Sequence, residues 1–294
     1  MATRLQPSSA EGLEEPCGRS DRDWTCSTPP GGGVELLSAW FRGCPYSKHR
    51  HDTYAICLTD LGIQTFDYRG ATRTSLPGQV VVLHPDETHD GRAGSDEGFG
   101  YRMVYLAPSR VADAARSLSD AAVALPYVRE PVSLNAILAK AIANAFLSFP
   151  TALEPLAIDE LIEGLARGLL LADASSRIRR RRVACDILAV ERVRQFLEAE
   201  KTRIVSSDEL EHVSGHCRFS LTRQFRQRYG TSPYRYLIMR RLDLVRSEIG
   251  AGKALAPIAI DAGFADQAHM TRMFRAAYGL SPAQFRALAQ ARPR

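Results

Sequence analysis

Short apolar runs punctuated by turn signals fill the first third of the chain, and longer helix-spaced apolar patterns take over after Pro108. Tyr54–Leu58, Gln64–Tyr68 and Gln79–Leu83 are five-residue runs rich in β-branched and aromatic residues. They are bounded by Asp60-Leu61-Gly62, Arg69-Gly70 and Leu76-Pro77-Gly78, the residue types that turns require. Many short strands at such spacing predict a small all-β barrel or sandwich between about Val34 and Pro108. Ser133–Ser148 and Ile158–Asp173 then read as amphipathic helices, with Leu161, Leu165 and Leu169 on one face. Everything after the basic run Arg177–Arg182 is patterned as helices broken by Gly and Ser-Pro.

The C-terminal pattern contains a repeat. Thr222–Pro233 matches Thr271–Pro282 at an offset of 49 residues, with eight of twelve positions identical. Each copy reads as a helix (Ser207–Ser214; Ala256–Ala262), a tight turn and a second helix (Phe219–Tyr229; Asp266–Tyr278). Gly215 and Gly263 fall where those turns need a conformation open to glycine, and Gly230 and Gly279 stop the second helices. Leu221 and Phe225, like Met270 and Phe274, are spaced to face a core. The remaining positions carry Arg, Gln, His and Thr, which suit base edges and phosphates in a major groove.

Charge supports that reading. Residues 177–294 hold 23 Lys and Arg against 11 Asp and Glu, whereas residues 1–176 hold 15 against 22. An overall charge of +5 thus hides a basic half suited to a polyanion, although a merely solvated basic surface would give the same count. No run approaches the length of a membrane span, and the polar, partly acidic N-terminus is unlike a secretory signal. Cys17, Cys26, Cys44, Cys57, Cys185 and Cys217 show no CxxC spacing, as expected of reduced cytoplasmic thiols. There is no Ser-His-Asp order, Walker loop or dinucleotide-binding fingerprint, so the expectation is a non-enzyme without a cofactor.

Residues 186–289 resemble the DNA-binding domain of the AraC/XylS family of transcription regulators. The resemblance is carried most specifically by Ile258-Ala259, Gly263–Arg275 and Gly279-Leu280-Ser281-Pro282. It implies two helix-turn-helix motifs, 207–229 and 256–278, joined by a long helix, Pro233–Ile249. Phe219, Thr222 and Arg223 would approach bases from the first motif, and Gln267, His269 and Arg272 from the second. Arg226, Arg228 and Arg275 would hold phosphates. The first motif departs from the family pattern at Glu211, where a small residue is usual, and at Cys217, where a capping Ser is usual.

Residues 49–108 resemble, more loosely, the cupin-like effector domain of the same family, through His49–Tyr54, Phe66–Gly70, Pro77-Gly78 and His84–Gly91. The implied fold is an N-terminal all-β cupin-like barrel followed by helices, then an all-α DNA-binding domain. The implied organisation is a disordered arm (1–33), a barrel (34–110), a helical dimerisation segment (111–176), a basic linker (177–185) and the DNA-binding domain (186–289). His49, His51, Tyr54, Arg69 and His89 are the candidate effector contacts. Two alternatives stay open: His49 and His51, with His89 or Glu87, match the ligand types of an enzymatic cupin's metal centre, and Arg69 lies either inward or on a solvent-facing turn. Leu161, Leu165 and Leu169 form either a dimer seam or a cover for the barrel. The functional expectation is a cytoplasmic, dimeric, effector-controlled regulator of promoter DNA. Activation is the expected sign, with RNA polymerase as a further partner, and the alternative is a metal-dependent cupin enzyme fused to a DNA-binding domain.

Overall fold

Strand alternation sets the architecture of the N-terminal half. In the computed structural model, which describes residues 23–42, 46–118, 125–174, 185–250, 252–278 and 280–290, the strands are β1 (Trp24–Ser27), β2 (Val34–Phe41), β3 (Tyr46–His49), β4 (Tyr54–Gly62), β5 (Gln64–Tyr68), β6 (Ala71–Ser75), β7 (Val80–Leu83), β8 (His89–Ala93), β9 (Phe99–Leu106) and β10 (Val132–Ser133). They pair as a six-stranded sheet ordered β1-β2-β9-β4-β7-β10 and a four-stranded sheet ordered β3-β8-β5-β6. Leu37, Ala39 and Phe41 of β2, Ala55 and Cys57 of β4, and Tyr101, Met103 and Tyr105 of β9 face Phe66 and Tyr68 of β5 in one apolar core. The cupin-like fold is therefore built as two facing sheets, with no single closed ring of ladder hydrogen bonds among the described residues.

Part of the expected disordered arm is ordered. Trp24–Ser27 pairs antiparallel with Leu37–Trp40 as an edge strand. All four of its residues are exposed, so no alternation marks it in the sequence. Residues 1–22 and 175–184, which include all of the basic linker but Cys185, lie outside the described residues.

The helices are α1 (Pro108–Leu118), α2 (Ala136–Ala145), α3 (Pro155–Ala172), α4 (Ile187–Ala199), α5 (Ser207–Ser214), α6 (Arg218–Tyr229), α7 (Pro233–Gly250), α8 (Leu255–Asp261), α9 (Gln267–Tyr278) and α10 (Pro282–Gln290). The helix expected from Ser133 starts later. Val132–Ser133 pairs with Val80–Val81 instead, and the Asn135 side chain caps α2 by accepting from the Ile137 and Leu138 amides, each at 3.1 Å. Helix α2 packs on β4 and β9. Gly168 of α3 lies against Leu138, where an added Cβ would come within 2.4 Å of a Leu138 methyl. Leu161, Leu165 and Leu169 are all buried within the single chain, which leaves them no free seam for a second copy.

Described residues divide into two compact units. The first lies within 1–115, 123–146 and 164–177, and the second within 116–122, 147–163 and 178–294. Residues 147–163 thus group with the C-terminal helices and not, as the sequence suggested, with the segment that follows the barrel. In the second unit Leu221 and Phe225 of α6, Met270 and Phe274 of α9, and Leu237, Leu242 and Val245 of α7 share a core with Leu156 and Ala157. The apolar spacing read from the sequence is met at both motifs.

Candidate nucleic-acid interface and ligand pocket

Each helix-turn-helix motif is built by local rules. Ser206 and Glu209 form a reciprocal capping box at α5, and Gly215 ends that helix at φ 73°. At the second motif Gly263 turns the chain at φ 85°, against the Thr202 carbonyl. Asp266 starts α9 by accepting from the His269 amide at 2.6 Å.

Helix α6 lacks a side-chain cap, because Cys217 makes none. Glu211 supplies the missing acceptor, taking the Arg218 amide at 2.8 Å and the Arg218 Nε at 2.9 Å. The two departures of the first motif are therefore one arrangement. A carboxylate from α5 caps the first turn of α6, where a negative group is favoured. Glu211→Ala is expected to lower the stability of this unit by about 1–2 kcal/mol, measured by denaturant unfolding followed by helical circular dichroism. Cys217→Ser in the Glu211→Ala background should restore much of the loss.

The sequence-predicted contacts fall into two groups. Gln267, Arg228 and Arg275 are exposed. Phe219, Thr222 and His269 are buried, and Arg223, Arg226 and Arg272 are half-buried and engaged. Thr222 Oγ1 donates to the Arg218 carbonyl at 2.8 Å. Arg223 Nη1 donates to the Ser117 carbonyl at 2.8 Å, and Arg272 donates to the carbonyls of Leu147 at 2.5 Å and Ser148 at 3.2 Å. His269 Nε2 lies 3.2 Å from Ser148 Oγ, and Arg226 pairs with Glu163. Sequence reasoning missed the partners Leu147, Ser148, Asp159, Glu160 and Glu163. Their only signal was the acidic spacing 159, 160 and 163, which places three carboxylates on neighbouring positions of one helix.

In the first unit a cavity of about 320 Å³ is lined by Lys48, Asp67–Thr72, Thr88 and His89. Opposed β3 and β8 bring His49 level with His89, and the ring centroids lie 4.5 Å apart. His51 stands 4.9 Å from His89 and 5.2 Å from Tyr105. His51 Nδ1 and His89 Nδ1 each lie 2.9 Å from a backbone carbonyl, those of Thr53 and Glu87. A ring nitrogen held by a carbonyl carries the proton, so Nε2 of each ring is the acceptor. His89 Nε2 is buried without a hydrogen-bond partner among the described residues. Burial lowers the His89 pKa to about 4; the Glu87 carbonyl opposes this, and the adjoining His49 and His51 imidazoles add to it.

Tyr54 does not join this group. It alternates with Ala55 along β4, so it faces the opposite side of the sheet. There its hydroxyl donates to the Pro126 carbonyl at 2.9 Å, and burial raises its pKa to about 12. Arg69 lines the cavity at φ 52°, but its guanidinium is already used. It donates to Glu87 at 2.7 Å and the Val128 carbonyl at 3.1 Å, and lies 4.4 Å from the Tyr127 ring centroid. Glu87 is thereby drawn to Arg69, and among the described residues no three His, Cys, Asp or Glu side chains are arranged to hold a metal ion.

A repeated helix-turn-helix unit joined in one chain to a small β-domain with a polar cavity defines a ligand-binding transcription regulator. Residues 31–170 match the model of the AraC-like ligand binding domain, and residues 214–288 match that of a helix-turn-helix domain. The chain belongs to the AraC family of transcription regulators. It is 23% identical over 225 residues to YbfI, an HTH-type transcriptional regulator of Bacillus subtilis, covering 76% of this chain and 81% of that one. The transcriptional activator RhrA of Rhizobium meliloti is 39% identical over 71 residues, 23% of each chain. Apo ToxT from Vibrio cholerae is 12% identical, with a TM-score of 0.39 over 88% of this chain and 99% of that one. No helix among the described residues is long and apolar enough to cross a membrane.

Proposed function

We propose that α6 and α9 read successive major-groove segments of one duplex, with Arg223 and Arg272 as the equivalent base-reading side chains of the two motifs. The observation that carries this reading is the 49-residue repeat, which gives each second helix an Arg at the same place. Phe219, Thr222, Gln267 and His269 complete the two base-facing sets, while Arg226, Arg228 and Arg275 hold phosphates and set register.

The cavity bounded by His89, Arg69 and Lys48 takes the effector. His89 lines it, with the His49 and His51 rings packed against His89, a setting that favours a polar small molecule able to donate a hydrogen bond to an imidazole acceptor. Effector binding shifts the population of DNA-competent molecules and involves no chemistry. The regulator works in the cytoplasm as a homodimer and activates transcription with RNA polymerase.

Selection of bound sequences from a random duplex pool tests the DNA assignment. In the selected site, Arg272→Ala should cost about 1–3 kcal/mol and relax preference at one base pair. A loss equal on selected and unselected duplexes would make Arg272 a phosphate contact.

A further inference from the structure

We infer that the segment Leu147–Glu163 is a built-in plug on the DNA-reading face, and that DNA binding requires it to leave. The inference deepens the proposed function and rests on it. All the contacts involved lie within the second unit.

The plug offers the reading helices the same chemistry that a duplex would offer. Arg272 is met by two backbone carbonyls, Leu147 and Ser148, acceptors of the kind a guanine edge presents. His269, 2% exposed, is met by the Ser148 hydroxyl. Negative charge comes from three carboxylates of α3. Glu163 pairs with Arg226, Glu160 lies 3.6 Å from Arg226 and 3.0 Å from Arg235, and Asp159 lies 3.6 Å from Arg218. Asp159 also accepts from Ser207, beside Thr222. A phosphate would compete for the same guanidinium groups, so plug and DNA exclude each other.

Seating the plug leaves a polar defect on the reading face. His269, held against Ser148, keeps its Nδ1 buried with no hydrogen-bond partner among the described residues. A buried, unbonded donor or acceptor is costly, and this one lies on a residue assigned to bases. The carboxylates of Glu163 and Asp159, 2% and 5% exposed, are also desolvated in the seated arrangement. The seated segment is held by these carboxylate pairs, by Glu154 on buried Arg241 and by Leu156 and Ala157 in the apolar core, and the carboxylate pairs are the part that bears on the reading face.

Observed affinity for DNA is the intrinsic affinity multiplied by the open fraction. The triple variant Asp159→Asn/Glu160→Gln/Glu163→Gln should therefore bind a random-sequence duplex pool at least tenfold more tightly than wild type at fixed salt. Added net charge alone also strengthens such binding, so the control Asp243→Asn/Glu248→Gln/Asp261→Asn removes the same charge away from the plug. A gain confined to the plug variant supports the inference, and equal gains in both overturn it.

A second readout needs no DNA. Phenylglyoxal modification followed by mass spectrometry should find Arg226 and Arg272, the arginines the plug holds, protected in the wild-type full chain, with exposed Arg228 reactive, and all three reactive in the plug variant. Equal reactivity of the three in wild type overturns the plug even if the DNA assignment holds. Should no protein bind the duplex pool, the DNA assignment falls and the inference with it. The isosteric single variant Glu163→Gln serves if the triple variant does not fold, with the same direction expected.

Discussion

Replacing Arg241 by Met should destabilise the C-terminal unit by about 3–5 kcal/mol. Arg241 sits in the middle of α7 with its side chain wholly buried. Its Nε donates to the Lys201 carbonyl at 2.8 Å, Nη1 to Glu154 at 2.6 Å and Nη2 to the Arg203 carbonyl at 2.9 Å. The guanidinium also lies 5.9 Å from the Phe264 ring centroid, beside the Gly263 turn of the second motif. One side chain thus ties the α4–α5 connection to the turn that aims α9. Met fills much of the same volume but leaves a buried carboxylate and two carbonyls without their donor, and that asymmetry sets the size of the loss. Thermal or denaturant unfolding of the full chain, followed by helical circular dichroism, measures it. The double variant Arg241→Met/Glu154→Met should recover part of the loss, since an apolar pair can replace a buried ion pair at little cost. A loss under about 1 kcal/mol in the single variant would mean that Arg241 is not the tie the geometry makes it.

Acid should destabilise the N-terminal unit through His89. Its pKa is held at about 4, against 6.5 for an unperturbed imidazole. The unfolded chain therefore binds a proton that the folded chain refuses between those two values. Stability is full above about pH 7, falls as the pH drops from 6.5 towards 4, and levels off below, a loss of about 3 kcal/mol. His84, whose pKa is also lowered, by burial first and by nearby Arg69 second, adds to the loss in the same direction. The only two Trp residues, Trp24 and Trp40, lie on β1 and β2, so their fluorescence reports this unit. Denaturant midpoints read from that signal should decline from pH 7 to pH 4, and the decline should shrink in His89→Gln. An unchanged slope in the variant would assign the acid sensitivity to other groups.

The same comparison of residues separates what was legible in the chain from what was not. Leu221 and Phe225, Met270 and Phe274, and the turn glycines Gly215 and Gly263 declare their roles through spacing and backbone geometry, both local quantities. The five-residue run Gln64–Tyr68 coincides with β5, and Gln79–Leu83 contains β7, for the same reason. Edge strand β1 escaped because exposed residues on an edge need no alternation. Tyr54 was placed with the histidines by proximity in sequence, whereas the pleat sends it to the other face of β4.

What the sequence determined by itself is the family, the paired helix-turn-helix units and the β-domain ahead of them. Period, capping residues and a repeat are properties of neighbouring positions, and helices and turns obey them directly. Tertiary structure alone decided the partners across long separations. Glu211 caps a helix on behalf of Cys217, Arg69 is drawn to Glu87, and Arg223 and Arg272 meet carbonyls more than a hundred positions away. Carbonyls are present at every residue and carboxylates are common, so nothing in one-dimensional order marks which of them a given guanidinium will meet. Only the packing of one element against another selects those partners, as the segment 147–163 does for Arg226 and Arg272.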